Sequence, residues 1–158
     1  MKLAGAVMVL LGGVAAFVNY SRTQRRQLRL VRDISAALTQ LAGEIRWRNL
    51  SIPQAIDHLC DRKISGPYFG EIADLMKSNM TLQESWQSVF SHLPTEMAEI
   101  LFALEWGGDA ERQEKSILYA AGQMTELSRT SGESLRQREK LCAAAALSGA
   151  GLLIVILV

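Results

Sequence analysis

LRLVRDISAALTQLAGEI, residues 28–45, decides the fold. Leu28, Val31, Ile34, Leu38, Leu41 and Ile45 recur at steps of three and four, which is the spacing of one face of an α-helix and not the alternation of a strand. No proline or glycine breaks the run before Gly43, so the helix is expected to reach about Asn49. Upstream the same helix continues without interruption into LAGAVMVLLGGVAAFV, residues 3–18, which carries no charge.

Downstream, punctuation divides the chain into further helices. Ser51 followed by Ile52-Pro53 is a helix start, because serine caps and proline in the first turn needs no donor. Ile52, Ile56, Leu59 and Cys60 form its apolar face, which ends near Arg62, and Ile64-Ser65-Gly66-Pro67 reads as a turn. A third helix is expected from Tyr68 to about Ser78, with Phe69, Ile72, Leu75 and Met76 inward. Thr81-Leu82-Gln83-Glu84 has the spacing of a capping box and opens a fourth, with Leu82, Trp86, Val89 and Phe90 inward. Pro94 precedes a fifth helix carrying Met97, Ile100, Leu101 and Leu104. Gly107-Gly108-Asp109 closes it and opens the last, since glycine accepts left-handed dihedrals and aspartate is a good N-cap. From Ala110 onward Ile117, Ala121, Met124, Ser128, Ser131, Leu135 and Cys142 repeat the helical period. The chain is therefore read as all-α, a bundle of about six helices.

Charge is distributed unevenly along the 158 residues, although 17 basic and 16 acidic side chains leave a net charge of only +1. Lys2 is the one charge in residues 1–21, and residues 141–158 have none. Residues 20–48 hold seven arginines against two carboxylates, and residues 49–128 hold five basic against twelve acidic groups. The even total argues against a nucleic-acid binder, which needs a basic surface to neutralise phosphates. Each uncharged end, residues 3–20 with Asn19 and Tyr20 included and residues 141–158, has eighteen residues and would cover roughly 27 Å as a helix, near the thickness of a bilayer core. A cleaved signal peptide is the rival reading of the first, disfavoured because arginines follow the apolar run. The expected organisation is thus an anchor over residues 1–20, a cytoplasmic helical domain over 21–140 and a C-terminal transmembrane helix over 141–158, with both termini outside. Arg22, Arg25 and Arg26 are candidates for contact with anionic headgroups, against the alternative of a solvated face. Gly12 with Ala16, Ala145 with Gly149 and Ala146 with Ala150 are spaced for close helix pairing, which leaves homo-oligomerisation open.

No catalytic constellation emerges from spacing. His58 with Asp57, Cys60 and Asp61 hints at a metal cluster, but neighbouring positions on a helix point about 100° apart, and a solvated face explains them better. Gly107-Gly108-Asp109 lacks the lysine and hydroxyl of a phosphate loop. Cys60 and Cys142 are expected as free thiols, and no cofactor or metal is expected. Trp86, Trp106, Tyr68, Phe69, Phe90 and Phe102 read as core, and Trp47 between Arg46 and Arg48 as the exposed aromatic. The acidic middle of the chain is the clue to a protein partner.

The anchor MKLAGAVMVLLGG, then LTQLAGEIRW, NLSIPQAIDHL, WQSVF, LFALEWGGDAERQEKSI and the terminal LLIVILV together resemble the stage III sporulation protein AB family, end to end. The middle part is similar to one F-domain of the inner-membrane platform proteins of type II secretion and type IV pilus systems. Glu105, Trp106, Gly107, Gly108 and Asp109 occupy the place of that family's G-E-x-x-G turn. The resemblance implies a non-enzymatic platform or adaptor of the channel-like complex between mother cell and forespore. Its partners would be a secretion-type ATPase and other channel membrane subunits, and its location the mother-cell side of the membrane around the forespore. Glu105, Gly107, Gly108, Asp109 and Glu111 are the expected partner surface, on the charge of the region and the place of the turn. The alternatives are a platform subunit of another secretion or pilus apparatus, or a membrane-anchored ligand sensor.

Overall fold

The computed structural model describes the backbone of residues 2–157 and the side chains of residues 12, 15, 17–142, 144 and 145. Six helices follow one another: α1 Lys2–Arg48, α2 Ile52–Leu59, α3 Gly66–Lys77, α4 Leu82–Phe90, α5 Thr95–Phe102 and α6 Ala110–Leu157. Among the described residues there is no strand. The helix expected to end near Asn49 ends at Arg48, and Asn49 turns the chain with a φ of 51°. The turn expected at residues 64–67 is shorter than the sequence indicated, because Gly66 and Pro67 already form the first turn of α3. Proline there costs no hydrogen bond, since the first amides of a helix have no internal acceptor.

The chain divides into two compact units, residues 29–128 and residues 1–28 with 129–158. In the first, the stripe read from the sequence is the core: Val31, Ile34, Leu38, Leu41 and Ile45 are buried, together with Ile56, Leu59, Phe69, Ile72, Met97, Leu101, Ile117 and Met124. Burying each such side chain contributes about 1.5–3 kcal/mol. Within this unit α1 and α6 run antiparallel, as Arg32 meets Ser128, Ser35 meets Ala121 and Thr125, and Arg46 meets Glu114. Small residues on α6 permit that approach, since Ala120 and Ala121 are buried and Ser35 Oγ reaches the Ala121 carbonyl at 2.9 Å. Five of the six aromatics expected in the core, Tyr68, Phe69, Trp86, Phe90 and Trp106, form one cluster, with Trp86 edge-on to Phe90 and Trp106 at centroid distances of 4.7 Å. Trp86 also donates its indole N–H to the Leu101 carbonyl, which ties α4 to α5.

In the second unit the early part of α1 and the late part of α6 are joined by polar contacts. Ser21 Oγ and Arg25 both donate to the Glu139 carboxylate at 2.9 and 2.8 Å, and Arg138 donates to the Tyr20 hydroxyl. The expectation of two membrane spans is corrected here: among the described residues no helix is long and apolar enough to cross a membrane. The described length of α1 carries seven arginines after residue 21, and that of α6 is charged at most turns up to Lys140. The reading of an integral protein with two spans, and of a location in the membrane around the forespore, is therefore not retained. The small-residue pairs at 12 and 16, 145 and 149, and 146 and 150 fall wholly or partly outside the described side chains.

Candidate functional site

The connection between α5 and α6 is built rigidly. Leu104 is buried and Trp106 packs against Trp86, which anchors the strand of chain leaving α5. Gly107 and Gly108 then take φ values of 141° and 88°, a region where a Cβ is disfavoured, and this reverses the chain. Asp109 caps α6, its Oδ1 accepting from the Arg112 amide at 2.9 Å, as the sequence indicated. The Glu105 amide donates to Ser116 Oγ at 3.3 Å and closes the turn onto α6.

This frame presents Glu105, Asp109 and Glu111, all exposed, on one short turn with Gly107 and Gly108 between them. Two of the three carboxylates already have a cation beside them. Glu105 lies 3.3 Å from Arg112, and Glu111 lies 2.8 Å from Lys115, whose hydrogen bond holds the Glu111 carboxyl below the usual carboxylate range. Glu111 in turn raises the Lys115 ammonium above its ordinary value. Exposed pairs of this kind are weak because water screens them, so a basic partner surface can displace them at little cost.

The expected arginines lie elsewhere, on the part of α1 that belongs to the other unit. Arg22 and Arg26 are exposed and have no ion pair among the described residues, whereas Arg25 is engaged by Glu139. Hydrogen bonds from Arg25 and then Ser21 hold the Glu139 carboxyl below its ordinary value.

Sequence reading missed a polar network that runs from α1 to the α2–α3 turn. Asp33 accepts from Arg62 and, at 2.8 Å, from the Ser65 amide, while Ser65 Oγ donates to the same carboxylate at 2.6 Å. Arg62 also donates to Gln40 Oε1, Gln40 donates to Glu44 Oε1, and Glu44 Oε2 accepts from His58 Nδ1 at 2.8 Å. Because a carboxylate can only accept, His58 carries its proton on Nδ1. Desolvation pushes the Asp33 carboxyl up, but the bonds from Arg62 and Ser65 outweigh it and hold the group below its ordinary range. Asp33, Gln40 and Glu44 sit at i, i+7 and i+11, one helical face beside the apolar stripe. That spacing is visible in the sequence, but its partners 62, 65 and 58 are not. His58 is therefore a member of this clamp, and no group of three or more metal-binding side chains gathers among the described residues. Cys60 donates to the Ile56 carbonyl, and burial raises its thiol.

These features define an all-helical domain with a stiff acidic turn and an internally clamped core. The chain belongs to the stage III sporulation protein AB family, whose model matches residues 2–158. Membership gives it a role in stage III of sporulation. Comparison with curated proteins and with solved structures returns no match.

Proposed function

We propose that this protein is a non-enzymatic platform or adaptor of the channel-like complex between mother cell and forespore. Its helical unit, residues 29–128, acts as an F-domain-like module, and the α5–α6 turn docks a secretion-type ATPase. The observation that supports the reading is the set of exposed carboxylates, Glu105, Asp109 and Glu111, held on a turn whose backbone is fixed from both sides. A preorganised turn loses little conformational entropy on binding, and its acidity selects a basic partner face. The unequal distribution of charge adds to this, because residues 49–128 carry twelve acidic groups against five basic.

The test is a binding titration of the ATPase against the full chain carrying Glu105→Lys and Glu111→Lys, with Asp109→Asn retaining the cap oxygen. Affinity is expected to fall about tenfold or more at low salt, with the far-ultraviolet circular dichroism unchanged. Binding undiminished by all three substitutions would remove the proposal.

A further inference from the structure

Two exposed features of the helical unit lie outside the turn just described, and each lacks a partner. Trp47 closes α1 and is 80% exposed, which is unusual for so large an apolar side chain. It sits between Arg46, which reaches Glu114 at 3.4 Å, and Arg48, which is exposed and has no ion pair among the described residues. The second feature is an open cleft of 290 Å³ between α5 and α6, lined by Glu99, Ile100, Ala103, Tyr119, Ala120 and Gln123 among others. Tyr119 stands 70% exposed at this cleft, and Glu99 is exposed with no ion pair among the described residues. Glu96 shares the outer face of α5 with Glu99, at i and i+3.

The two features match in shape and charge. One is a protruding indole flanked by guanidinium groups, and the other is an apolar cleft with a tyrosine wall and a carboxylate at its edge. Trp47, being solvent-exposed, does not fill the cleft of its own chain. The charge distribution favours a second copy as the occupant, because residues 20–48 hold seven arginines against two carboxylates while residues 49–128 are acidic. Every copy therefore carries both halves of the contact. We infer that this protein self-associates by seating the Arg46-Trp47-Arg48 end of α1 of one copy in the Glu99–Tyr119 cleft of another, with Arg48 paired to Glu99. Tryptophan, tyrosine and arginine are the side chains that most often dominate interface energetics, and an indole buries 150–250 Å² when it inserts.

The experiment uses the full chain with Cys60→Ser, labelled at the exposed Cys142 with donor or acceptor dyes, and follows energy transfer against concentration. Trp47→Ala, Glu99→Arg and Arg48→Glu are each expected to raise the concentration for half-association about tenfold or more. Combining Glu99→Arg with Arg48→Glu restores association, because the reversed charges meet again across the contact. That rescue separates a direct contact from a merely structural effect of either residue. Absence of concentration-dependent transfer, association unaltered by Trp47→Ala, or a double variant weaker than both single variants would each overturn the inference. The cleft adjoins the α5–α6 turn at Ser116, but Trp47, Arg48 and Glu99 are not among the carboxylates of that turn, so failure of these three variants leaves the ATPase titration untouched.

Discussion

Asp33 illustrates how one side chain fixes a whole connection. Its carboxylate accepts three hydrogen bonds, from Arg62, the Ser65 amide and the Ser65 hydroxyl, in a setting where its side chain is only 20% exposed. Bonds to a charged group contribute about 1.5–3 kcal/mol each, and an unpaired buried cation is costly, so Asp33→Asn is expected to destabilise the fold by about 2–4 kcal/mol. The folded carboxyl titrates below its unfolded value of about 3.9, so its contribution is present above that pH and is lost as the pH falls through the folded value. Urea midpoints for the parent and the Asp33→Asn variant are expected to differ at pH 7 and to converge in acid, as the pH falls below the ordinary carboxylate range. A difference that persists unchanged in acid would show that charge is not what Asp33 supplies. Arg62 adds a physical reason for the tightness of this site: its buried Nε has no partner among the described residues, so the cation depends on its remaining nitrogens.

At the scale of elements, the caps were legible because their chemistry is local. Thr81 and Glu84 meet reciprocally, with the Thr81 amide donating to Glu84 Oε2 at 3.0 Å and the Glu84 amide donating to Thr81 Oγ1 at 3.3 Å. The hydroxyl bond also holds Glu84 below the usual carboxylate range. The apolar stripe of α1 was legible for the same reason, since a period is a property of one segment. What was not legible depends on distant pairs. Asn79, at φ 69°, ends α3 by allowing the Met80 amide to reach the Leu75 carbonyl, an arrangement with no strong local signature when glycine is replaced by asparagine. His58 read as solvated because Glu44 lies fourteen residues away on another helix. The α2–α3 connection also holds a steric constraint the sequence did not announce: a Cβ on Gly66 would collide with the Cys60 carbonyl oxygen. Backbone cannot yield as a flexible side chain does, so Gly66→Ala is expected to lower stability by about 1–3 kcal/mol, read as a fall in thermal midpoint. Gly70, with nothing within 4 Å of its added Cβ, is the matched control, and Gly70→Ala within α3 is expected to be neutral or stabilising. Equal effects at the two glycines would contradict this packing.

At the scale of the whole molecule, the apolar ends stand out in the sequence, yet the described core lies between them. Every buried hydrophobic residue described, from Val31 to Met124, lies within residues 29–128. The polar clamp around Asp33, the aromatic cluster and the acidic turn fall inside the same limits. Within the other unit, Ser21 and Arg25 bond Glu139, contacts that involve none of those core residues. A continuous fragment of residues 29–128 therefore contains the described core and the contacts named above, and it is expected to fold alone. At about 0.05–0.15 kcal/mol per residue, its unfolding free energy would be about 5–15 kcal/mol. A helical circular dichroism spectrum and one cooperative urea transition, coincident when followed by circular dichroism and by tryptophan fluorescence, are the expected results. A broad transition, or helicity without fixed tertiary signals, would mean that the early turns of α1 and the late turns of α6 are needed to hold the bundle. Such a failure would show that the length of α1 and α6, and not their buried face alone, is what the fold requires.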